Sequence, residues 1–259
     1  MFRSLGLETE RLVMARRSSF EDRGDHVVMR TPAEPEFWYG NQVIWKSTAA
    51  RPEPLLAAFE AAFPDAAHCV LSFDVPGMDT PDWVGDLPDF EPDPADILSL
   101  DGPIAGPDLP PGFTFRRIET DGDWAQVVDC QTRTGVEDGF EPARHKVYVT
   151  EKYAAVRADC EGGAAHWFGL FAGERLAADM GIVTDGRLAR FQSVETMPDY
   201  RRQGLCAALL RQVHGAVTAQ HPGAHFAIVA ETESDAGRIY RRAGFTLHER
   251  LTSLMKRGY

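Results

Sequence analysis

Between Pro76 and Pro111 the chain carries nine acidic residues and nine prolines, and neither a lysine nor an arginine. Proline fixes φ and removes a backbone donor, so such a stretch resists helix and the middle of a sheet. It reads as an extended acidic connector over 76–111, dividing a first block (1–75) from a second (112–259). Trp83, Phe90 and the run Ile97-Leu98-Ser99-Leu100 predict that the connector lies against the protein. The segment also accounts for most of the formal net charge of −12, so that charge excludes a general nucleic-acid binder without pointing to a cationic substrate. With 44% hydrophobic residues in 259, there is ample material for one large or two modest cores.

No run approaches the ~18 apolar residues of a membrane helix, and the first residues lack a secretory apolar core. Cys69, Cys130, Cys160 and Cys206 are widely spaced without a CxxC pair, and the eight histidines are dispersed. The sequence therefore predicts a cytoplasmic protein with no membrane partner, no disulfide framework and no metal site.

In the first block, His26–Arg30 and Phe37–Trp45 are rich in β-branched and aromatic residues and read as strands, with Thr31–Pro35 as the turn between them. Pro52-Glu53-Pro54 opens a helix whose Leu55, Leu56, Phe59 and Phe63 share a face, and Pro64 ends it. His68–Phe73 is a third, buried strand. This β-β-α-β block has no phosphate loop and no cluster of catalytic residue types, so its expected role is structural. Phe37-Trp38-Tyr39 either lines a pocket or packs in the core.

In the second block, Phe113–Ile118 alternates as a half-buried strand. Asp121 or Asp123 caps a helix carrying Trp124, Val127 and Val128 on one face. A second helix runs from about Ala143 to Ala158 with Val149, Tyr153 and Val156 inward. A strand meander follows: Trp167–Phe171, Leu176–Val183 and Leu188–Glu195. The segment from Tyr200 to Leu210 leads into a helix reaching about Gln220, with Leu205, Leu209, Val213 and Ala216 buried. Phe226–Ala230 is a buried strand, and Ser234 or Asp235 caps a last helix ending at Gly244. Two short strands near Leu247 and Leu254 close the chain.

A strand running into Arg201-Arg202-Gln203-Gly204 and then a helix makes an anion site by construction. The first helical N–H groups lack partners and carry the positive end of the dipole. Gly204 permits close approach of a pyrophosphate, and the two arginines add charge. The plain alternative is a helix start with two surface arginines.

The order of elements here resembles the GNAT superfamily of acetyl-CoA-dependent N-acetyltransferases. Its signature Gln/Arg-x-x-Gly-x-Gly/Ala is matched at Arg201 and Gly204, with Pro198 three residues before. Ala236–Phe245 is similar to the second signature, Ala-x-x-Leu-Tyr-x-x-x-Gly-Phe, with Ile239 in the leucine place. The likeness covers about residues 112–256. It implies an α/β (α+β) fold: a mixed, mostly antiparallel sheet flanked by helices, here preceded by a smaller α/β domain. Cys206 replaces the second small residue, and Glu233 stands where many members carry asparagine.

The resemblance implies acetyl-CoA as co-substrate, with pantetheine paired to Val194, Glu195 and Thr196. The N–H groups of Arg202, Gln203, Gly204, Leu205, Cys206 and Ala207 would hold the pyrophosphate, with Arg201 and Glu233 nearby. The acceptor, a primary amine of a small molecule or peptide, attacks the thioester directly, so Cys206 need not be a nucleophile. Tyr240 matches the family tyrosine that protonates the departing thiolate and flanks the cofactor. The base is Glu195 or Glu231. The loop from Gly135 to Pro142, with Glu137, Asp138 and Glu141, would lie at the acceptor mouth and draw cations.

The first block's strand, helix and strand mimic the order of 188–196, 203–219 and 225–231. It reads either as a degenerate half-repeat without a CoA site or as an unrelated α/β extension. A CoA-binding regulatory or scaffold protein without turnover is the rival function. The sequence leaves open whether the chain forms a homodimer.

Overall fold

The computed structural model describes residues 2–48, 51–87 and 89–258. The chain divides into two compact units. The first comprises the chain up to Leu98 together with Val229–Gly237 and the stretch from Leu247 onward. The second comprises Ser99–Ile228 and Arg238–Thr246. The boundary thus falls at Leu98, inside the acidic connector, and two later segments return to the first unit. The reason is β5, Glu91–Leu100, a strand within the Pro/Asp-rich stretch. Pro92 and Pro94 stand in its exposed half, while Asp96–Leu100 are buried. The apolar run, tolerant of prolines only where no inner ladder is needed, decides the strand.

The first unit begins with α1 (Leu5–Met14), which the sequence reading did not find. Ser4 caps it, its hydroxyl accepting from Leu7 N–H, and the Asp74 carboxylate accepts from Ser4 N–H at 2.8 Å. The strands β1 (Ser19–Asp22), β2 (His26–Arg30), β3 (Gln42–Trp45) and β4 (His68–Phe73) follow, with α2 (Glu53–Ala62) between β3 and β4. The last strand, β11 (Thr246–Arg257), is one continuous strand where two short ones were expected. The strand order in this unit is β1-β2-β3-β4-β11-β5. β3 and β4 are parallel, joined by α2, and β11 is antiparallel to β4. Period-two alternation separates two cores: Val27, Met29 and Ile44 pack with Leu7 and Met14 of α1, while Val28, Val43 and Trp45 pack with Leu55 and Phe59 of α2. The expected strand at Phe37 begins only at Gln42, because Trp38–Gly40 form a single tight turn. There Trp38 stacks on His68 and the Tyr39 hydroxyl donates to Asp93, so these aromatics pack and pair.

The second unit carries β6 (Phe113–Arg117), α3 (Asp121–Glu137), α4 (Pro142–Glu161), β7 (Ala165–Ala172), β8 (Arg175–Thr184), β9 (Leu188–Thr196), α5 (Leu205–Thr218), β10 (His225–Glu231) and α6 (Asp235–Arg242). Of these, the end of β10 and the start of α6 are counted with the first unit. Strand order is β10-β9-β8-β7-β6, antiparallel except for the β9/β10 pair bridged by α5. Thr120, not Asp121 or Asp123, caps α3; Asp123 supplies the returning half of a capping box and also grips Arg116 through two 2.7 Å contacts. Trp124, Val127 and Cys130 of α3 and Val149, Tyr153 and Val156 of α4 close one sheet face over Trp167 and Phe171. α5 covers the other, with His214 4.4 Å from Phe226 between ring centroids. The sheet and helices match the expected mixed, mostly antiparallel α/β class.

Candidate active site

The parallel ladder between β9 and β10 joins only Leu188–Arg190 to His225–Ala227. Beyond Arg190 the paired neighbour of β9 is β8, and that ladder contains a bulge. Asp179 faces Glu195 and Gly181 faces Gln192, so one residue of β8 lies opposite Ser193 and Val194. Ser193 takes a left-handed φ of 43° to accommodate the extra residue. In a regular strand Gln192 and Glu195 would point to opposite faces. The bulge turns Glu195 onto the same face as Asp179 and Gly181, toward α3 and α4.

After Met197, a short turn over Pro198–Tyr200 leads to Arg201. Arg202 (φ 62°) and Gly204 (φ 76°) are both left-handed, and α5 begins at Leu205. Two left-handed residues directly before a helix, whose first N–H groups lack helical partners, are the local geometry that an anion site requires. A methyl group on Gly204 would meet nothing closer than Pro107 at 3.7 Å, so the glycine is required for its φ rather than for space. The end of the Pro-rich segment runs along this helix, which the sequence did not reveal. Ala105 N–H donates to Ala243 O at 2.8 Å, and Arg211 donates to Gly106 O at 3.2 Å and to Asp108 at 2.7 Å.

The two arginines divide. The Arg201 guanidinium donates to Thr196 O at 3.2 Å and pairs with Glu137 at 2.8 Å, so it ties β9 to α3 rather than presenting its charge at the turn. Arg202 and Gln203 are exposed beside it. Burial pushes the Cys206 thiol up to about 12, so it stays protonated at neutral pH. Tyr240, on α6, is 5% exposed, and burial, with Cys206 and Glu195 adding to it, raises its hydroxyl well above the usual tyrosine value. The hydroxyl therefore stays protonated at neutral pH. Burial also raises Glu195; Arg201 opposes the rise and Asp138 adds to it. The second unit therefore brings Val194, Glu195, Thr196, the 201–207 turn and Tyr240 into one neighbourhood. Glu231 ends β10 and Glu233 follows in a left-handed turn (φ 63°); both belong to the first unit. Ser234 is the residue whose hydroxyl caps the start of α6, accepting from Gly237 N–H at 3.1 Å.

The acidic loop is smaller and more occupied than its sequence suggested. α3 extends to Glu137, which holds Arg201, and the Glu141 carboxylate accepts from Ala143 and Arg144 N–H as the cap of α4. Asp138 is the loop carboxylate that adds to the rise at Glu195. Sequence reasoning missed Asp179, although a lone carboxylate in the apolar run Leu176–Val183 was a readable signal.

Among the described residues, no cluster of His, Cys, Asp or Glu could hold a metal ion, and no helix is long and apolar enough to cross a membrane.

Comparison with known proteins bears on this geometry. No curated protein matches the chain in sequence. A GCN5-related N-acetyltransferase from Kribbella flavida superposes with a TM-score of 0.63 at 17% identity, covering 98% of this chain and 94% of its own. A functionally unknown conserved protein from Staphylococcus epidermidis gives 0.73 at 10% identity, covering 92% and 93%. A tandem GNAT protein from the clavulanic acid biosynthesis pathway gives 0.61 at 13% identity, covering 94% and 84%. At these identities the likeness is one of fold. Residues 132–253 match the acetyltransferase (GNAT) domain model, a span holding β9, the left-handed turn, α5 and Tyr240. The chain thus carries an acetyltransferase domain of the GNAT family.

Proposed function

We propose that this protein moves an acetyl group from acetyl-CoA to a primary amine of a small molecule or peptide by direct attack. The observation that carries the reading is the run of backbone from the β9 bulge to α5, which turns one carboxylate inward and then builds an anion cradle. The turn suits the pyrophosphate of CoA: the backbone N–H groups from Arg202 to Ala207 stand at the start of α5, Gly204 adds no side chain, and the Cys206 thiol is compact. Bound acetyl-CoA would supply the thioester carbonyl that the amine attacks. Val194, Glu195 and Thr196 offer backbone groups to the pantetheine arm. Glu195, held at a raised proton affinity by burial, takes the proton of the incoming amine. Tyr240, protonated throughout the physiological range, delivers a proton to the leaving sulfur. Arg201 fixes the end of β9 to α3 and so holds Glu195 in place.

The first unit supports a second GNAT-like half without a site of its own. Its β3-α2-β4 unit is parallel and helix-bridged, as β9-α5-β10 is. The match of a tandem GNAT protein over 94% of the chain agrees with this.

The test is an amine panel with acetyl-CoA, following free-thiol release, alongside calorimetry with CoA. Acetylation of at least one amine with CoA binding is expected. CoA binding without transfer to any amine would favour the silent regulatory or scaffold reading; no CoA binding would end both.

A further inference from the structure

Asp179 is the one carboxylate in the β8 apolar run, and it is completely buried. Its Oδ1 accepts from Trp167 Nε1 at 2.9 Å, and the Cys130 and Gln131 side chains of α3 stand beside the carboxyl and favour its charge. Trp167 is itself fixed, its ring filling the space where a side chain at position 181 would stand. Across the ladder Asp179 is the register partner of Glu195. Directly opposed residues of an antiparallel pair have Cβ atoms about 4.5–5.5 Å apart on one face. Two carboxylates so placed cannot both ionise cheaply, and the better buried one keeps its proton.

We propose that Asp179 and Glu195 form a carboxyl pair holding one proton at neutral pH. Asp179 is the positioning residue that keeps that proton and leaves Glu195 as the carboxylate facing the amine. This rests on the reading of Glu195 as the group that takes the amine proton. In the step itself the ammonium N–H bond breaks and an O–H bond forms on Glu195, while Asp179 retains its own proton. The pair passes from one negative charge to none.

The surroundings support this division of roles. Burial pushes Asp179 up to about 7; the Trp167 N–H draws it back, and the Glu195 charge raises it again. Cys130 and Gln131 of α3 and Tyr153 of α4 complete its environment, all uncharged at neutral pH. Around Glu195 stand Arg201, Asp138, Thr134 and Lys152. Cys206 of α5 and Tyr240 of α6, both neutral, also feel its charge. Arg201 and Lys152 draw the charge to Glu195 and Asp179 is the more deeply buried of the two, so the proton stays on Asp179.

The test is a 13C-carboxyl NMR titration of the full chain from pH 4 to 9, with Glu195 assigned through Glu195→Gln. The Glu195 signal should show a main step above the ordinary glutamate value and a second inflection near 7, as Asp179 ionises. Asp179→Asn keeps the acceptor for Trp167 and removes the titration. The second inflection should vanish while the main step stays in place, because asparagine stands in for the protonated Asp179. An unchanged Glu195 curve in Asp179→Asn overturns the proposal. Should that variant fail to fold, Trp167→Phe removes only the donor to Oδ1, and the inflection near 7 should move upward; no movement overturns the proposal equally. In turnover, Asp179→Asn should remove an ionisation near pH 7 from the kcat profile with KM unchanged, whereas a packing role alone leaves the profile in place. The NMR readout needs no acceptor amine. A coupled titration without acetyl transfer would refute the enzymatic reading and leave the pair standing.

Discussion

Replacing Gly204 tests the anion cradle most directly, because its φ of 76° and its open surroundings separate conformation from space. Alanine's Cβ would approach Pro107 no closer than 3.7 Å, an ordinary contact, so no steric term enters. What remains is the left-handed penalty, about 1–2 kcal/mol for an L-residue and less for asparagine. A β-branched valine fares worse, since such residues at positive φ are true outliers. Stability measured by thermal unfolding should fall in the order Gly, Asn, Ala, Val. For a domain of this size the alanine step corresponds to roughly 2–8 °C in Tm. CoA affinity by calorimetry should follow the same order, because the chain relieves strain by leaving the left-handed region and so turns the N–H groups away. Glutamate should abolish binding at a stability close to that of alanine, adding a negative charge where phosphate belongs. If Gly204→Val bound CoA as tightly as the native chain, the cradle would not be the phosphate site.

Three further perturbations read other parts of the domain. Tyr240→Phe removes one hydroxyl from a buried ring and should keep CoA affinity while lowering kcat by ~10²–10⁴-fold; a loss below about threefold in steady-state assays would assign the tyrosine to packing. Asp123→Asn should cost about 2–3 kcal/mol in denaturant unfolding, since it breaks two charge-assisted contacts to Arg116. The Arg116 guanidinium holds the Asp123 carboxyl well below the usual range; the native advantage is therefore full above about pH 4 and should shrink as pH falls further, and a pH-independent difference would contradict the pairing. Gly181→Ala would set a methyl 2.0 Å from the Trp167 ring and should destabilise by roughly 1–3 kcal/mol while disturbing the Asp179 contact; unchanged Tm and tryptophan fluorescence would refute that packing.

What the sequence disclosed was local. The turn at Arg201–Gly204, the buried stripe of α5 (with Val217 buried where Ala216 was expected) and the meander β7–β9 follow from glycine placement and apolar period within a dozen residues. What it concealed was long-range or weakly patterned. β1 reads Ser-Phe-Glu-Asp and is largely exposed, leaving no alternation to detect. β11 belongs with β4, about 180 residues earlier in the chain, through pairs such as Ser253 with Ser72, and no local signal specifies so distant a partner. β5 was hidden by its own prolines, which occupy only the exposed half. Within the site, the positions of Glu195 and Tyr240 could be read by resemblance. The bulge that aims Glu195 could not, because one extra residue leaves no trace in composition. Arg201 was legible as a cation at the turn, while its engagement by Glu137 depends on where α3 ends.

The two parallel β-α-β crossovers are built alike and paired differently. In the first unit the ladder joins Val43–Trp45 to Leu71–Phe73, and Asp74 N–H continues it to Trp45 O at 2.7 Å. Both strands are therefore sealed at their carboxyl ends, where ligands of such sheets enter. In the second unit the ladder is made at the starts, Leu188–Arg190 with His225–Ala227, and β9 continues for six residues beyond it. The helix entrances differ in the same sense. No described residue between Gly24 and Gly77 has a positive φ, and α2 opens on Pro52, whose nitrogen has no hydrogen to offer. α5 opens on two left-handed residues that gather N–H groups toward one point. A strand pair joined to its ends gains ladder hydrogen bonds, whereas in the second unit the bulge and left-handed turn occupy the place where that pairing would otherwise run, as the proposed CoA site requires.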